Sequence, residues 1–100
     1  MSATIIVVGR FAAGYEEYFA EYSARVRAFL QSKGAVTVRR QRIEQTLYGG
    51  DPADLVMLID FPARETARDA FFEPAYLELI PLRDKVFSEF RMYVATSGEI

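Results

Sequence analysis

Asp60, Tyr18, Tyr22 and Arg83 are the side chains of this sequence whose types and positions suit chemistry. Asp60 sits near the end of the apolar run Leu55-Val56-Met57-Leu58-Ile59-Asp60-Phe61, where loss of hydration would fit a carboxyl group to give or take a proton. It also has a plain structural use. If the turn at 49–52 closes a hairpin with Tyr48 opposite Asp54, Arg42 falls opposite Asp60 and the two form a cross-strand ion pair. Tyr18 and Tyr22 stand one helical turn apart, so with Phe19 they would line a cleft and hold a flat organic ligand, or else pack as core with their hydroxyls at the rim. Arg83 follows Pro81 and Leu82, and its planar fork would clamp a substrate carboxylate, or bind Glu73 or a helix-terminal carbonyl and fix the kink.

The chemistry stops there because the chain of 100 residues has no histidine, cysteine, tryptophan or asparagine. Zinc, copper and iron–sulfur sites and most haem sites need imidazole or thiolate ligands, and serine or cysteine nucleophiles need a histidine base. The acidic residues show no calcium-loop spacing, so no metal and no cofactor are expected. A net charge of −2 and a pI near 5.1 argue against a nucleic-acid partner held through phosphates. Nor does 55–61 carry the basic-glycine start and alternating aromatics of an RNA-recognition sheet. No apolar run approaches the roughly 20 residues of a membrane span, and Met1-Ser2-Ala3-Thr4 lacks a basic signal region, so a cytoplasmic protein without a membrane partner is expected.

The elements that position these residues can be read from periodicity. Residues 4–9 (Thr-Ile-Ile-Val-Val-Gly) and 55–61 are apolar without alternation, as strands buried on both faces are. Between them, Tyr15, Tyr18, Phe19, Tyr22, Val26, Phe29 and Leu30 form a helical stripe, with Glu16 and Glu17 at the positive end of the dipole and Gly34 as a left-handed stop. Residues 36–48 mix β-branched residues with Arg39, Arg40, Arg42 and Glu44, as an edge strand would; the arginines read as a solvated face that blocks edge pairing, or as an anion site. Gly49-Gly50-Asp51-Pro52 predicts the turn. Helix follows over about 63–72, Pro74 opens another, Pro81 should break or kink it before 82–87, and 89–96 is the last strand with 97–100 as a tail. The junction at 9–14 reads as a plain loop with Gly14 at the helix cap, since it lacks the glycine spacing of a phosphate loop.

One domain over 1–100 results, of α+β class: a ferredoxin-like βαββαβ order with an antiparallel sheet. Right-handed crossovers put the first and third strands in the middle, and these are the two that are apolar on both sides. One layer of helices covers only one side. The other side needs a cover, and a second copy of the chain, packed sheet to sheet, is the expected one.

Tyr15-Glu16-Glu17-Tyr18, the Gly-Gly-Asp-Pro turn before a strand ending Asp60-Phe61-Pro62, and above all Phe72-Glu73-Pro74-Ala75-Tyr76-Leu77-Glu78-Leu79-Ile80-Pro81-Leu82-Arg83 resemble the small bacterial family called domain of unknown function 1330. The resemblance spans about 4–96 and implies the dimeric α/β-barrel superfamily, in which two ferredoxin-like sheets pack face to face. It implies no activity. Relatives in the superfamily include haem-degrading and quinone-forming monooxygenases, whose usual histidine, asparagine or tryptophan participants are missing here. The expectation is an uncharacterised small homodimer with a cleft between helices and sheet. It would act as a cofactor-independent enzyme on a small organic acid or aromatic compound, with Asp60 or a tyrosine moving the proton and Arg83 as clamp; alternatively it is a non-catalytic small-molecule-binding or structural dimer.

Overall fold

The structure is a computed structural model and describes residues 2–97. Of the expected tail, residues 98–100 lie outside the described residues. Along the chain run β1 (Ala3–Phe11), α1 (Glu16–Ser32), β2 (Val36–Arg42), β3 (Leu55–Phe61), α2 (Arg64–Ala70), α3 (Pro74–Leu77), α4 (Ile80–Val86) and β4 (Phe87–Ala95). The four strands form one antiparallel sheet in the order β2-β3-β1-β4, so the two strands apolar on both sides are the central ones.

Period-two packing separates the faces. Ala3, Ile5, Val7 and Gly9 of β1 are buried beneath the helices, while Thr4, Ile6 and Val8 between them are half-buried on the other side. Ile5, Ile59, Phe61, Tyr76 and Val86 are the largest fully buried side chains, each worth about 1.5–3 kcal/mol of apolar transfer. Gly9 is required by close approach: a Cβ there would lie 2.6 Å from the buried Phe87 ring. Helix α1 turns Tyr22, Phe29 and Leu30 into this core, carries Glu16 and Glu17 in its first turn, and stops at Gly34, whose φ of 68° is the left-handed conformation expected there.

The helical segments after β3 are shorter than a single broken helix. Pro74 occupies the first turn of α3, and Pro81 likewise occupies the first turn of α4, so Pro81 starts a helix where a break within one was expected. Lys33, at the end of α1, pairs with Glu73, which caps α3. Glu73 therefore serves the α1–α3 junction and is not the partner of Arg83.

Strand β2 ends at Arg42, six residues before the expected end at Tyr48, and 43–54 is an irregular connection closed by the amide of Ile43 donating to the carbonyl of Asp54. The tight hairpin expected at 49–52 does not form, and the register moves with it. Asp60 stands opposite Val36 and Arg42 opposite Leu55, so the expected Arg42–Asp60 ion pair is absent. The shift has a second cause: a bulge between Thr37 and Arg39 sets two steps of β2 against the single step from Ile59 to Leu58.

On the face away from the helices, Ile6 pairs with Leu58 and Tyr93, and Val8 with Val56. This apolar centre is flanked by charge. At one end lie Arg10, Glu89 and Arg91, with Arg10–Glu89 at 3.6 Å and Asp51 of the connection 3.7 Å from Arg91; at the other, Thr4 donates to Asp60 at 2.7 Å. Among the described residues no helix is long and apolar enough to cross a membrane.

Candidate functional site

The helix–sheet cleft lies where α1 crosses the β2–β3 edge of the sheet. Its floor is apolar and closed: Tyr22, Leu30, Leu55 and Phe87 are buried, and Phe19, Val26 and Met57 are half-buried around them. The exposed polar residues Arg27, Gln31, Thr37 and Arg40 stand at its mouth. It holds about 410 Å³, within the range of small-molecule sites. A shallower groove continues from it through Phe19, Arg40 and Leu55 toward Phe11, Tyr15 and Arg42, with Glu16 at its outer wall.

The arginines reach this side of the sheet because of the bulge. In an unbroken strand, Thr37 facing the helices would send Arg39 there and Arg40 to the open face. The extra residue Val38 inverts that order. Arg39 pairs with Leu58 on the open face, while Arg40 and Arg42 pair with Met57 and Leu55 beneath α1. The Arg40 guanidinium lies 5.1 Å from the Phe19 ring centroid and that of Arg42 lies 5.6 Å from Phe11. All three arginines remain exposed on the edge strand, as a solvated face would be, but Arg40 and Arg42 stand on the helix side of the sheet.

Of the expected ligand residues, Tyr22 and its neighbour Phe19 line the cleft. Tyr22 is buried, and its hydroxyl meets that of Tyr76 from α3 at 3.1 Å. Burial, and next the adjoining Tyr76, push the Tyr22 hydroxyl far above the ordinary range, so it is a neutral hydrogen-bonding group and not a base. Tyr18, one turn earlier, is half-buried under Lys85, whose ammonium lies 4.9 Å from its ring, and it does not line the cleft.

Arg83 lies behind Tyr22. Burial opposes its charge, but hydrogen bonding to Tyr76 and the neighbouring Tyr76, Asp84 and Tyr22 outweigh that and raise its pKa further. Its side chain is 18% exposed, with Nε 3.3 Å from Asp84 and the guanidinium 4.9 Å from the Phe90 ring. Arg83 is thus bound to the helix packing and does not line the cleft. Asp60 is exposed on the opposite face of the sheet, accepting from Thr4, so the structure does not bring it together with Tyr22.

Sequence reasoning missed Tyr76, Arg27 and the facing of Arg40. Arg27 had a signal: Ser23, Arg27 and Gln31 make a polar row at helical spacing beside the apolar stripe. The facing of Arg40 had none, because a bulge leaves no mark in composition. Among the described residues no group of three or more acidic side chains could hold a metal.

The family described as "Domain of unknown function (DUF1330)" matches residues 5–97. Comparison with curated proteins gives no match. Among solved structures the chain is similar to a protein of unknown function from Rhodopseudomonas palustris, with TM-score 0.78 and 16% identity over 99% of this chain and 84% of the other. It is also similar to a DABB-family protein with a ferredoxin-like fold from Mesorhizobium loti, with TM-score 0.68 and 10% identity over 98% of each chain. A third similarity is to SnoaB from Streptomyces nogalater, a cofactor-independent oxygenase, with TM-score 0.66 and 16% identity over 99% of this chain and 95% of the other. At these identities the likeness is one of fold.

Proposed function

The chain belongs to the family of the domain of unknown function (DUF1330), and within that family we propose that it is a homodimer that binds a small, largely apolar organic molecule between α1 and the β2–β3 edge. The observation that carries this reading is the closed apolar floor of Tyr22, Leu30, Leu55 and Phe87 beneath a mouth of exposed polar side chains. The homodimer rests on the open sheet face, whose apolar centre of Ile6, Val8, Val56 and Leu58 matches what a second copy would bury, with charged residues at its rim.

Binding is favoured over acid–base catalysis by the chain's own groups. Among the described residues no carboxylate lines the cleft itself, Asp60 is on the other face, and Tyr22 is held neutral. The SnoaB-like fold keeps one catalytic version in view, in which the bound molecule supplies its own reactivity and the cleft excludes water around it.

The test is thermal denaturation against a panel of small aromatic and aliphatic compounds, with wild type and Val26→Trp, whose indole would fill the cleft. Compounds that enter it raise Tm in wild type only, since they bind the folded state. A panel that moves neither protein, or moves both equally, would sink the cleft reading.

A further inference from the structure

We infer that the ligand of this cleft is an organic anion, an aryl or alkyl carboxylate, whose head is held by Arg40 with Arg27 beside it at the mouth and whose apolar body lies on the floor of Tyr22, Leu55 and Phe87. This deepens the reading of the cleft as a ligand site and rests on it.

Charge sign is the first support. The chain is acidic overall, with 14 acidic and 12 basic residues, yet among the described residues both charged residues lining the cleft are arginines. The sign is locally inverted, and a low-dielectric wall beneath such a mouth focuses its field on an incoming anion. Among the described residues Arg10, Arg25, Arg68, Arg83 and Arg91 have a carboxylate within salt-bridge distance, whereas Arg27 and Arg40, like Arg39, Arg42 and Arg64, have none. The two guanidiniums at the mouth keep their carboxylate-binding forks open.

The bulge is the second support, and it is independent of charge. One inserted residue disrupts the β2–β3 ladder, and its consequence is to bring Arg40 and Arg42 beneath α1. The Arg40 guanidinium lies 5.1 Å from the Phe19 ring centroid, and among the described residues Arg40 makes no side-chain hydrogen bond, so its donors are available to a planar acceptor. A carboxylate matches that fork in two parallel hydrogen bonds, which an alcohol or an amine does not.

The partition of the cleft fixes the rest. Among the described residues the charged groups of the cleft stand at its exposed mouth, while the buried floor is hydrocarbon and aromatic and its one hydroxyl, that of Tyr22, is already bonded to Tyr76, so a molecule charged at one end fits and one charged at both ends does not. A cleft of about 410 Å³ suits a fused-ring or medium-chain acid.

The experiment uses 2-naphthoate, read by its own fluorescence because the protein has no tryptophan, with decanoate as a competitor and 2-naphthalenemethanol as the neutral analogue. Wild type is expected to bind the naphthoate about tenfold more tightly than the alcohol, the size of one charge-assisted contact, and less tightly as salt rises. Displacement by decanoate widens the class to alkyl acids; its failure restricts the class to aryl acids, and both agree with the inference. Arg40→Met, with Arg27→Met as the second variant, should lose that preference and its salt dependence. Equal binding of acid and alcohol in wild type, unaffected by salt, would overturn the anion assignment and leave the cleft reading standing. Binding of neither, together with a neutral panel that shifts no Tm, would overturn both.

Discussion

Tyr22 of α1 and Tyr76 of α3 meet hydroxyl to hydroxyl at 3.1 Å inside the core, and this contact ties the wall of the cleft to the segment that ends at Arg83. Both rings are buried, so neither hydroxyl can exchange its partner for bulk water at low cost. Around them the Phe29 and Phe71 rings pack on Tyr76 with centroids at 5.7 and 5.0 Å, and Phe87 packs edge-on to Tyr22 at 6.0 Å. The pair is a polar link in an aromatic layer, fixed by packing on both sides.

Tyr76→Phe leaves the Tyr22 hydroxyl without that partner and should cost about 1–2 kcal/mol in urea unfolding. Replacing both tyrosines by phenylalanine should cost less than the sum of the two single changes, because no buried hydroxyl is then orphaned. Strict additivity would show that the hydroxyls do not act as a pair.

Stability should fall steeply in alkali. The Tyr22 hydroxyl has a folded-state pKa raised above its unfolded value of 10.0, first by burial and then by Tyr76. Its contribution is fully present below that unfolded value and is lost as pH rises, since the unfolded chain then gives up a proton that the folded one keeps. Unfolding free energy measured above about pH 10 should decline by about 1.4 kcal/mol per pH unit from this residue, and Tyr22→Phe should remove that part of the slope. A wild-type slope unchanged in the variant would place the loss elsewhere.

The sequence made the sheet legible because burial on both faces of 4–9 and 55–61 is a statement about composition, and composition survives any register. Helix α1 and its stop at Gly34 were legible for a similar reason: period and left-handed backbone are local. Register is not local. It depended on a connection over 43–54 that leaves the strand early and on one extra residue at Val38, and together these separated Arg42 from Asp60 and brought Arg40 to the cleft. Helical spacing turns Tyr22 toward the core; for Arg83 the sequence left the clamp and the helix-end role both open, because a fork suited to a carboxylate is equally suited to packing on an aromatic face, and the structure puts its guanidinium by Asp84 and Phe90 and not on the cleft lining.

Arg83→Met should therefore act on stability and not on binding. The loss of its packing on Phe90 and its pairing with Asp84 is expected to cost about 1 kcal/mol, while cleft ligands keep their wild-type affinity once measured well below the melting temperature. Loss of ligand affinity with stability intact would return Arg83 to the role of clamp.

The open sheet face supplies the remaining prediction. Leu58 stands at its centre, between Ile6 of β1 and Arg39 of β2, and points away from the helices, so a change there tests association separately from the core. Light scattering of the wild type at micromolar concentration should give twice the chain mass of 11.4 kDa. Leu58→Asp would place a carboxylate, with the edge residue Arg39 opposite it, between two apolar surfaces and should yield a folded monomer, because burying that charge costs more than a cross-strand pair returns. Phe72→Asp is the control: Phe72 is 77% exposed, between α2 and α3 on the helical side, and its replacement should leave the mass unchanged. A wild-type monomer, or a Leu58→Asp dimer, would show that something other than a second copy covers this face.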